Sequence, residues 1–527
     1  MKFKQIVSGL LTAALLLGSS GAAMAAGQEA FWPTFRKDNS NMAIVDTRLP
    51  IGNDQLSEKW SINFYGDKYV QAAPSEPIIV GDKLYVVAAK NLNQIDRETG
   101  KIIKQAPLIG EQSMGFFSRL TYGDGKIFVP VTAGLIEAFD AETMEPLWCT
   151  EVVNSTQTLC QVTYQDGYLY TGYWGKTGTR TLGKFFCVDT NAETHPASGE
   201  KSEPVKIFGD VPVMPTKWES TDETGFYWSG ATTVGNAVIY GGDSGVLYSA
   251  NRETGEIIDS YQTGGMIRSC IVQDNSGNLY FTAGAGDFAD GSDEGAVYKV
   301  GCDENGRFTT KNKAELDYPS TCNPMVYNGR VYVPMGKQFY SDNLSNVSVF
   351  NSDDLSLIYD IEMPGCSKAS PLLTTAYATE ENNQTVYLYI TLNNEKGQIA
   401  RIEDNAINKT PKMQIIYTPA EVPEADNNNT TASLVCDQQG TIYYHNDNGR
   451  MMALTGHIDQ PDYVLGDVNS DDHITSSDAL MALQASVGKT TLTEKQTLAA
   501  DVDNDKKVTS NDALLILQYS VGKINKF

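Results

Sequence analysis

Histidine is almost missing from this chain: only four stand among 527 residues, at 195, 445, 457 and 473. No two of them share the spacing of metal ligands, so a His-based zinc site is not expected. With so few imidazoles and no G-x-S-x-G turn, a Ser-His-Asp hydrolase is not expected either. Basic residues are also short: 40 Lys and Arg face 65 Asp and Glu, a formal charge of −25. That balance argues against nucleic acid or an anionic membrane surface as a partner and suits divalent cations. The eight cysteines (149, 160, 187, 270, 302, 322, 366 and 436) form no C-x-x-C and no adjacent pair, so no disulfide framework is legible. Cys149 and Cys160 are the pair first expected to bond, if any does.

Long apolar runs are missing beyond the first residues. Met1-Lys2-Phe3-Lys4 is basic, Ile6 to Gly18 is apolar, and small residues lead to Ala23-Met24-Ala25. This reads as a secretory signal peptide over 1–25, because the apolar run is too short to span a bilayer. A secreted protein without a membrane segment is expected. About 500 mature residues exceed one ordinary core, so several domains or a repeat architecture must follow.

A duplication is plain near the C-terminal end. Residues 467–489 read DVNSDDHITSSDALMALQASVGK and 501–523 read DVDNDKKVTSNDALLILQYSVGK, identical at 14 of 23 positions. Oxygen-bearing side chains fall at loop positions 1, 3, 5, 9 and 12: Asp467, Asn469, Asp471, Thr475 and Asp478, then Asp501, Asp503, Asp505, Thr509 and Asp512. Calcium takes six or more oxygens, and EF-hand-type spacing wraps them around one point, with position 7 (His473, Lys507) offering its backbone carbonyl. Two calcium ions are expected. Position 6 usually holds Gly, yet here it is Asp472 and Lys506; Lys tolerates positive φ less well, so the second loop is expected to be the more strained. Each loop runs into a helix whose apolar residues share one face: Leu480, Leu483 and Val487, or Leu514, Leu517 and Val521.

Together with the preceding Leu465-Gly466, this pair resembles the type I dockerin family. The resemblance implies binding to a cohesin module of a scaffolding protein, as in cellulosomes, and hence an extracellular complex in polysaccharide breakdown. The family's recognition positions fall on Ser476, Ser477, Leu483 and Gln484, then Ser510, Asn511, Leu517 and Gln518. The likeness of the two copies suggests docking in two orientations related by a half-turn. Tyr463 and Phe527 bracket the module and are read as a stacking clasp. The domain would span 463–527, joined to the rest by a short linker, 457–462.

Between signal peptide and linker, 26–456 carries an internal repeat. A Gly or Asp turn followed by an apolar strand recurs as GDKLYVVAA (81–89), GDGKIFVPV (123–131), QDGYLYTGY (165–173), GNAVIYGGD (235–243), SGNLYFTAG (276–284), NGRVYVPMG (328–336), NQTVYLYIT (383–391) and QGTIYYHND (439–447). Most copies lead into a second strand and an acidic-Thr-Gly turn, as in LNQIDRETGKII (92–103). Short strands at this spacing predict an all-β radial repeat, one four-stranded propeller blade per copy. The pattern resembles the pyrroloquinoline quinone (PQQ) repeat, and Phe31-Trp32-Pro33-Thr34-Phe35-Arg36-Lys37-Asp38 resembles the opening of PQQ-like propellers. Eight copies imply eight blades. Lys59 to Asn63 is expected to supply the outer strand of the last one, and about 190–230 reads as an insertion.

Chemistry in the propeller is harder to read. Quinoprotein dehydrogenases resemble this repeat, but their adjacent Cys pair is absent and their quinone and calcium ligands match no motif here, so PQQ is not expected. The reading favoured is a non-catalytic binding or scaffold module that holds glycan or another protein. The alternative is a carbohydrate-active enzyme, a glycoside hydrolase or polysaccharide lyase, whose paired carboxylates would be hidden among the acidic residues; no catalytic residue is identifiable. Tyr173, Trp174, Trp218, Phe226, Tyr227 and Trp228 crowd the insertion, either as a plug that fixes it or as a glycan platform on Trp174, Trp218 and Trp228. Trp60 and Trp148 are read as core. Asp287, Asp290 and Asp293 form an acidic loop, a third calcium site only if it is not simply solvated.

Overall fold

The computed structural model of the chain describes residues 30–52, 54–66, 73–111, 119–131, 134–151, 160–175, 182–195, 211–284, 295–336, 345–365, 368–421, 428–458, 463–471, 473–503, 505–524 and 527. They divide into two compact units, one running through Thr455 and the other formed by Pro50–Asn53 with Gly456–Phe527.

The larger unit is an eight-bladed β-propeller of eight separate antiparallel-based sheets. Each sequence copy becomes the second strand of a blade, from Lys83–Ala88 in the first to Ile442–His445 in the eighth. The turn before it explains its composition. Asp166-Gly167 and Asn328-Gly329 hold φ of 52° and 86°, and of 46° and 78°. A two-residue hairpin with both centres at positive φ matches strand twist and selects Asp, Asn and Gly. After the turn comes an apolar-aromatic pair whose ring packs into its blade. Tyr85, Phe128, Tyr170, Tyr240, Tyr280, Tyr332, Tyr389 and Tyr443, one per blade, are all buried to within 2% of full burial. The buried hydroxyls need partners, and several reach the next blade: Tyr85 donates to the Ala141 carbonyl at 2.6 Å and Tyr332 to Asp404 at 2.7 Å.

Ring closure follows the expected route. Ser57–Asn63 is the outer strand of blade eight, antiparallel to Arg450–Thr455 from Ser57 opposite Thr455 to Asn63 opposite Arg450. Its Trp60 then fastens blade eight to blade one. The indole Nε1 donates to the Arg97 carbonyl at 2.9 Å and the ring lies against Gly100, where a Cβ would stand 2.6 Å from Cδ2. Lys59 pairs with Glu98 at 2.6 Å. The same device recurs between blades three and four. Trp218 donates to the Arg252 carbonyl at 2.9 Å, covers Gly255 at the same 2.6 Å, and Lys217 pairs with Glu253 at 3.0 Å.

The reading of 190–230 as a plain insertion needs correction. Trp218–Asp222 is the outer strand of blade three, and Val213–Met214 adds a fifth, parallel strand to blade two beside Cys149 and Thr150. The pairing expected first for cysteine is also absent: Cys149 and Cys160 are free buried thiols, as are Cys187, Cys270 and Cys436, with Cys302 free and half-buried. Cys366 and the acidic loop with Asp287, Asp290 and Asp293 lie outside the described residues.

The opening segment crosses the middle of the ring. Trp32 bridges Ile79 of blade one, Thr34 bridges Thr121 of blade two, and Ile44–Val45 pairs in parallel with Leu373–Thr374 of blade seven. Between these, the Asn41 amide donates to the Ala231 and Ile271 carbonyls at 3.1 and 2.9 Å. Arg36, fully buried, donates to the carbonyls of Ser370, Met42 and Pro371. Burial pushes its guanidinium down to about 9, and nearby Glu76 opposes that fall, so it stays charged at neutral pH.

The smaller unit has three helices: α1 (Ser476–Ser486), α2 (Glu494–Ala500) and α3 (Ser510–Ser520). A small core of Val468, Ala479, Ala482, Ala500, Val502, Ala513 and Ile516 joins them. Phe527 stacks on Tyr519, with ring centroids 4.7 Å apart, and lies against Gly466. That replaces the expected clasp with Tyr463.

Candidate functional site

Both calcium-type loops are built by the same local rule. The residue at position 12 opens the following helix as the third residue of a capping box. Asp478 accepts from the Thr475 backbone N–H at 2.9 Å and its hydroxyl at 3.0 Å through one oxygen, and from the Asn469 N–H at 3.0 Å through the other. Asp512 repeats this with Thr509 at 2.8 and 2.9 Å and with Val502 at 3.0 Å. Both carboxylates are fully buried. In Asp478 the oxygen that accepts from Asn469 keeps a second lone pair, so capping the helix and facing the loop centre are compatible there. A helix N-terminus also favours a carboxylate there.

The first loop winds around Asp467 and Asp471. Asp467 and Asn469 accept from the Asp471 N–H at 3.1 and 2.9 Å, and Asp471 accepts from the His473 N–H at 3.0 Å. In the second loop Asp501 accepts from the N–H groups of Asp505 (3.1 Å) and Lys506 (2.9 Å), and Asp505 from Lys507 at 2.8 Å. One carboxylate oxygen each of Asp501, Asp503 and Asp512 lies within 4.8 Å of the others. Burial, with the charges of Asp512 and Asp505, pushes the Asp501 carboxyl above the usual range. That is the condition a cation at the centre would relieve. Lys506 sits at φ 66°, the left-handed conformation expected at position 6; Asp472 is outside the described residues.

The recognition positions are displayed outward. Ser476, Ser477, Leu483, Gln484, Ser510, Asn511 and Leu517 are exposed and Gln518 is half-buried. Asn511 is also tied to its loop, donating to Asp503 at 2.7 Å. The apolar face of each helix points to solvent: Leu480, Leu483 and Val487 are 55, 42 and 59% exposed, and Leu514, Leu517 and Val521 are 50, 41 and 66%. The alanines and Ile516 take the core side instead.

In the propeller, the aromatic cluster splits in two. Trp218, Tyr173 and Phe226 are buried. Trp218 is therefore corrected from a platform residue to a blade-to-blade lock, offering no ring face to a ligand. Trp174 and Trp228 are half-buried and linked through Tyr227, with centroid distances of 5.3 and 4.6 Å. This ladder ends at a pocket in the channel lined by Phe35, Arg119, Trp228, Arg268, Asn323 and Lys368 among others. Arg119 bonds Glu76 at 2.9 Å and covers the Phe35 ring at 3.7 Å. Arg268 forks onto Asp243 at 3.1 and 2.9 Å and lies over Tyr227 at 4.7 Å. Sequence reading missed these cations, since they come from three different blades.

The geometry thus defines a β-propeller carrying a small helical module with two duplicated acidic loops. Residues 465–519 match the family model described as the dockerin type I domain. Type I dockerins bind calcium, and the domain implies a cohesin partner in a cellulosome-type protein. No curated protein matches the chain. Among solved structures, the quinohemoprotein alcohol dehydrogenase of Comamonas testosteroni is similar at 13% identity, covering 84% of this chain and 83% of its own, with a TM-score of 0.52. A europium-containing methanol dehydrogenase (13%; 79% and 89%; 0.47) and BamB from Moraxella catarrhalis (14%; 76% and 99%; 0.48) follow. At these identities the likeness shows the propeller fold alone. No helix among the described residues is long and apolar enough to cross a membrane.

Proposed function

We propose that the chain is a secreted component of a cellulosome-type complex, processed after a signal peptide at 1–25, whose 463–527 module holds two calcium ions and docks on a scaffoldin cohesin. The first ion would sit among Asp467, Asn469, Asp471, Thr475, Asp478 and the His473 carbonyl. The second would sit among Asp501, Asp503, Asp505, Thr509, Asp512 and the Lys507 carbonyl. The propeller, 26–456, is a non-catalytic binding module that takes glycan during polysaccharide breakdown, with 457–462 as linker. One observation supports the docking reading above others: two repeated constellations, each a buried Asp capping a helix whose apolar face is exposed. A loop that orders a helix start while that helix shows three large apolar residues to solvent is suited to calcium-dependent partner binding.

Calorimetric calcium titration of the whole protein is expected to give two sites, and affinity for a type I cohesin is expected to vanish in EGTA. One site, or cohesin binding indifferent to calcium, would refute the reading.

A further inference from the structure

We propose that the mouth of the propeller channel recognises acidic saccharides, taking a uronate carboxylate among Arg119, Arg268 and Lys368 and a sugar ring on the Trp174–Tyr227–Trp228 ladder. The inference rests on the reading of the propeller as a glycan-binding module and names the glycan's class.

Charge is the first ground. In a chain of net −25 the described residues that line the pocket include three cations and no carboxylate. Arg119, Arg268 and Lys368 are only 9, 6 and 6% exposed. Gathering cations out of water is costly unless anions compensate them. Glu76 and Asp243 hold the two arginines from outside the lining, which fixes their planes. A planar guanidinium so held suits a carboxylate better than a point charge does. With water largely excluded, each contact to an anion is stronger than it would be on the surface.

Shape is the second ground. Phe35 of the opening segment lines the pocket, with Arg119 over its ring at 3.7 Å. The free space admits a group of one or two waters' size. A carboxylate fits it and a whole sugar ring does not. The ring is left beside the half-buried Trp228, Tyr227 and Trp174, whose rings, tilted 58° and 34° to one another, form a stepped aromatic flank. Phosphate or sulfate would leave that flank unused, whereas an acidic sugar uses both parts. Trp228 is held at φ 62°. A bulky residue in that conformation is strained, and such strain gathers at binding sites.

The test is calorimetry on the full-length protein in calcium with four probes: trigalacturonate, its methyl ester, a glucuronate-bearing xylo-oligosaccharide and the unsubstituted xylo-oligosaccharide. Each acid is expected to bind at least tenfold more tightly than its neutral counterpart, and less tightly as salt rises. Lys368→Gln should weaken the acids at least fivefold and leave neutral probes unchanged. Trp174→Ala should weaken acidic and neutral probes alike; an unaltered melting temperature keeps both variants interpretable. Equal binding of acid and neutral forms, or Lys368→Gln without effect, overturns the carboxylate site but leaves a glycan-binding propeller. Acetate competing as well as the oligosaccharides overturns the saccharide assignment. No binding of any probe overturns both.

Discussion

Glu137 offers a quantitative test of how the propeller interior is built. It lies on the Leu135–Asp140 strand of blade two, opposite Val129 and Cys149, and is fully buried. One oxygen accepts from the Ile109 N–H at 2.9 Å. Burial pushes the carboxyl up to about 8 against that single bond, and burial together with the Glu137 charge raises the Cys149 thiol to about 12. The folded value lies above that of the unfolded chain, near 4.3. The folded protein therefore holds the proton more tightly, and its stability falls as pH rises between the two values. The slope is up to about 1.4 kcal/mol per pH unit, or about 2.5 kcal/mol from pH 5.5 to 7.5. Glu137→Gln keeps the shape and removes the titration. For about 400 residues unfolding at roughly 2 cal/mol/K each, 2.5 kcal/mol corresponds to about 3 °C. The melting temperature of the variant minus that of the parent, by calorimetry in saturating calcium, should rise by about that amount between pH 5.5 and 7.5. A difference that stays constant across the interval would show that Glu137 is not held protonated.

Other predictions follow from the locks and loops. Gly255→Ala puts a Cβ 2.6 Å from Trp218 at φ 73°, whereas Gly329→Ala, at φ 78°, meets nothing within 4 Å; thermal melts should show the first losing at least about 2 kcal/mol more, since both share the backbone penalty of about 1 kcal/mol. Lys506→Gly removes a side chain from φ 66° and should tighten the second calcium site by up to about fivefold in a calcium titration, on the order of 1 kcal/mol. Replacing Ser476 and Ser477 together should leave cohesin affinity within about threefold, as should replacing Ser510 and Asn511, while changing both pairs abolishes it; loss on changing one pair alone would rule out two docking orientations.

Much of the fold is legible because its signals are local. A positive-φ turn followed by an apolar-aromatic strand repeats eight times within windows of nine residues, and the calcium loops are legible because they are duplicated with the same offset to a helix. The lock at Trp218 has a sign in the sequence: Lys-Trp at 59–60 and 217–218, each matched by Arg-Glu-Thr-Gly at 97–100 and 252–255. The sequence leaves Trp218 between a plug and a ligand platform because its neighbours Trp174, Tyr227 and Trp228 are aromatic too, and only the packing separates them. Periodicity puts the apolar positions of α1 and α3 on one face, but it cannot say that this face is turned to solvent. Arg119, Arg268 and Lys368 stand 100 residues or more apart, so no pattern along the chain predicts their meeting at the axis.

The closing strand of blade eight carries a consequence for biosynthesis. Ser57 must wait for Thr455, about 400 residues later. At roughly 5–20 residues per second that is about 20–80 s during which the ring stands open. The waiting segment, Ser-Glu-Lys-Trp-Ser-Ile-Asn, opens on three polar residues, two of them charged, a composition that resists pairing with the wrong edge. Once shut, the ring opens only if the first and last blades part together, so the propeller should resist proteases as a unit rather than fray blade by blade.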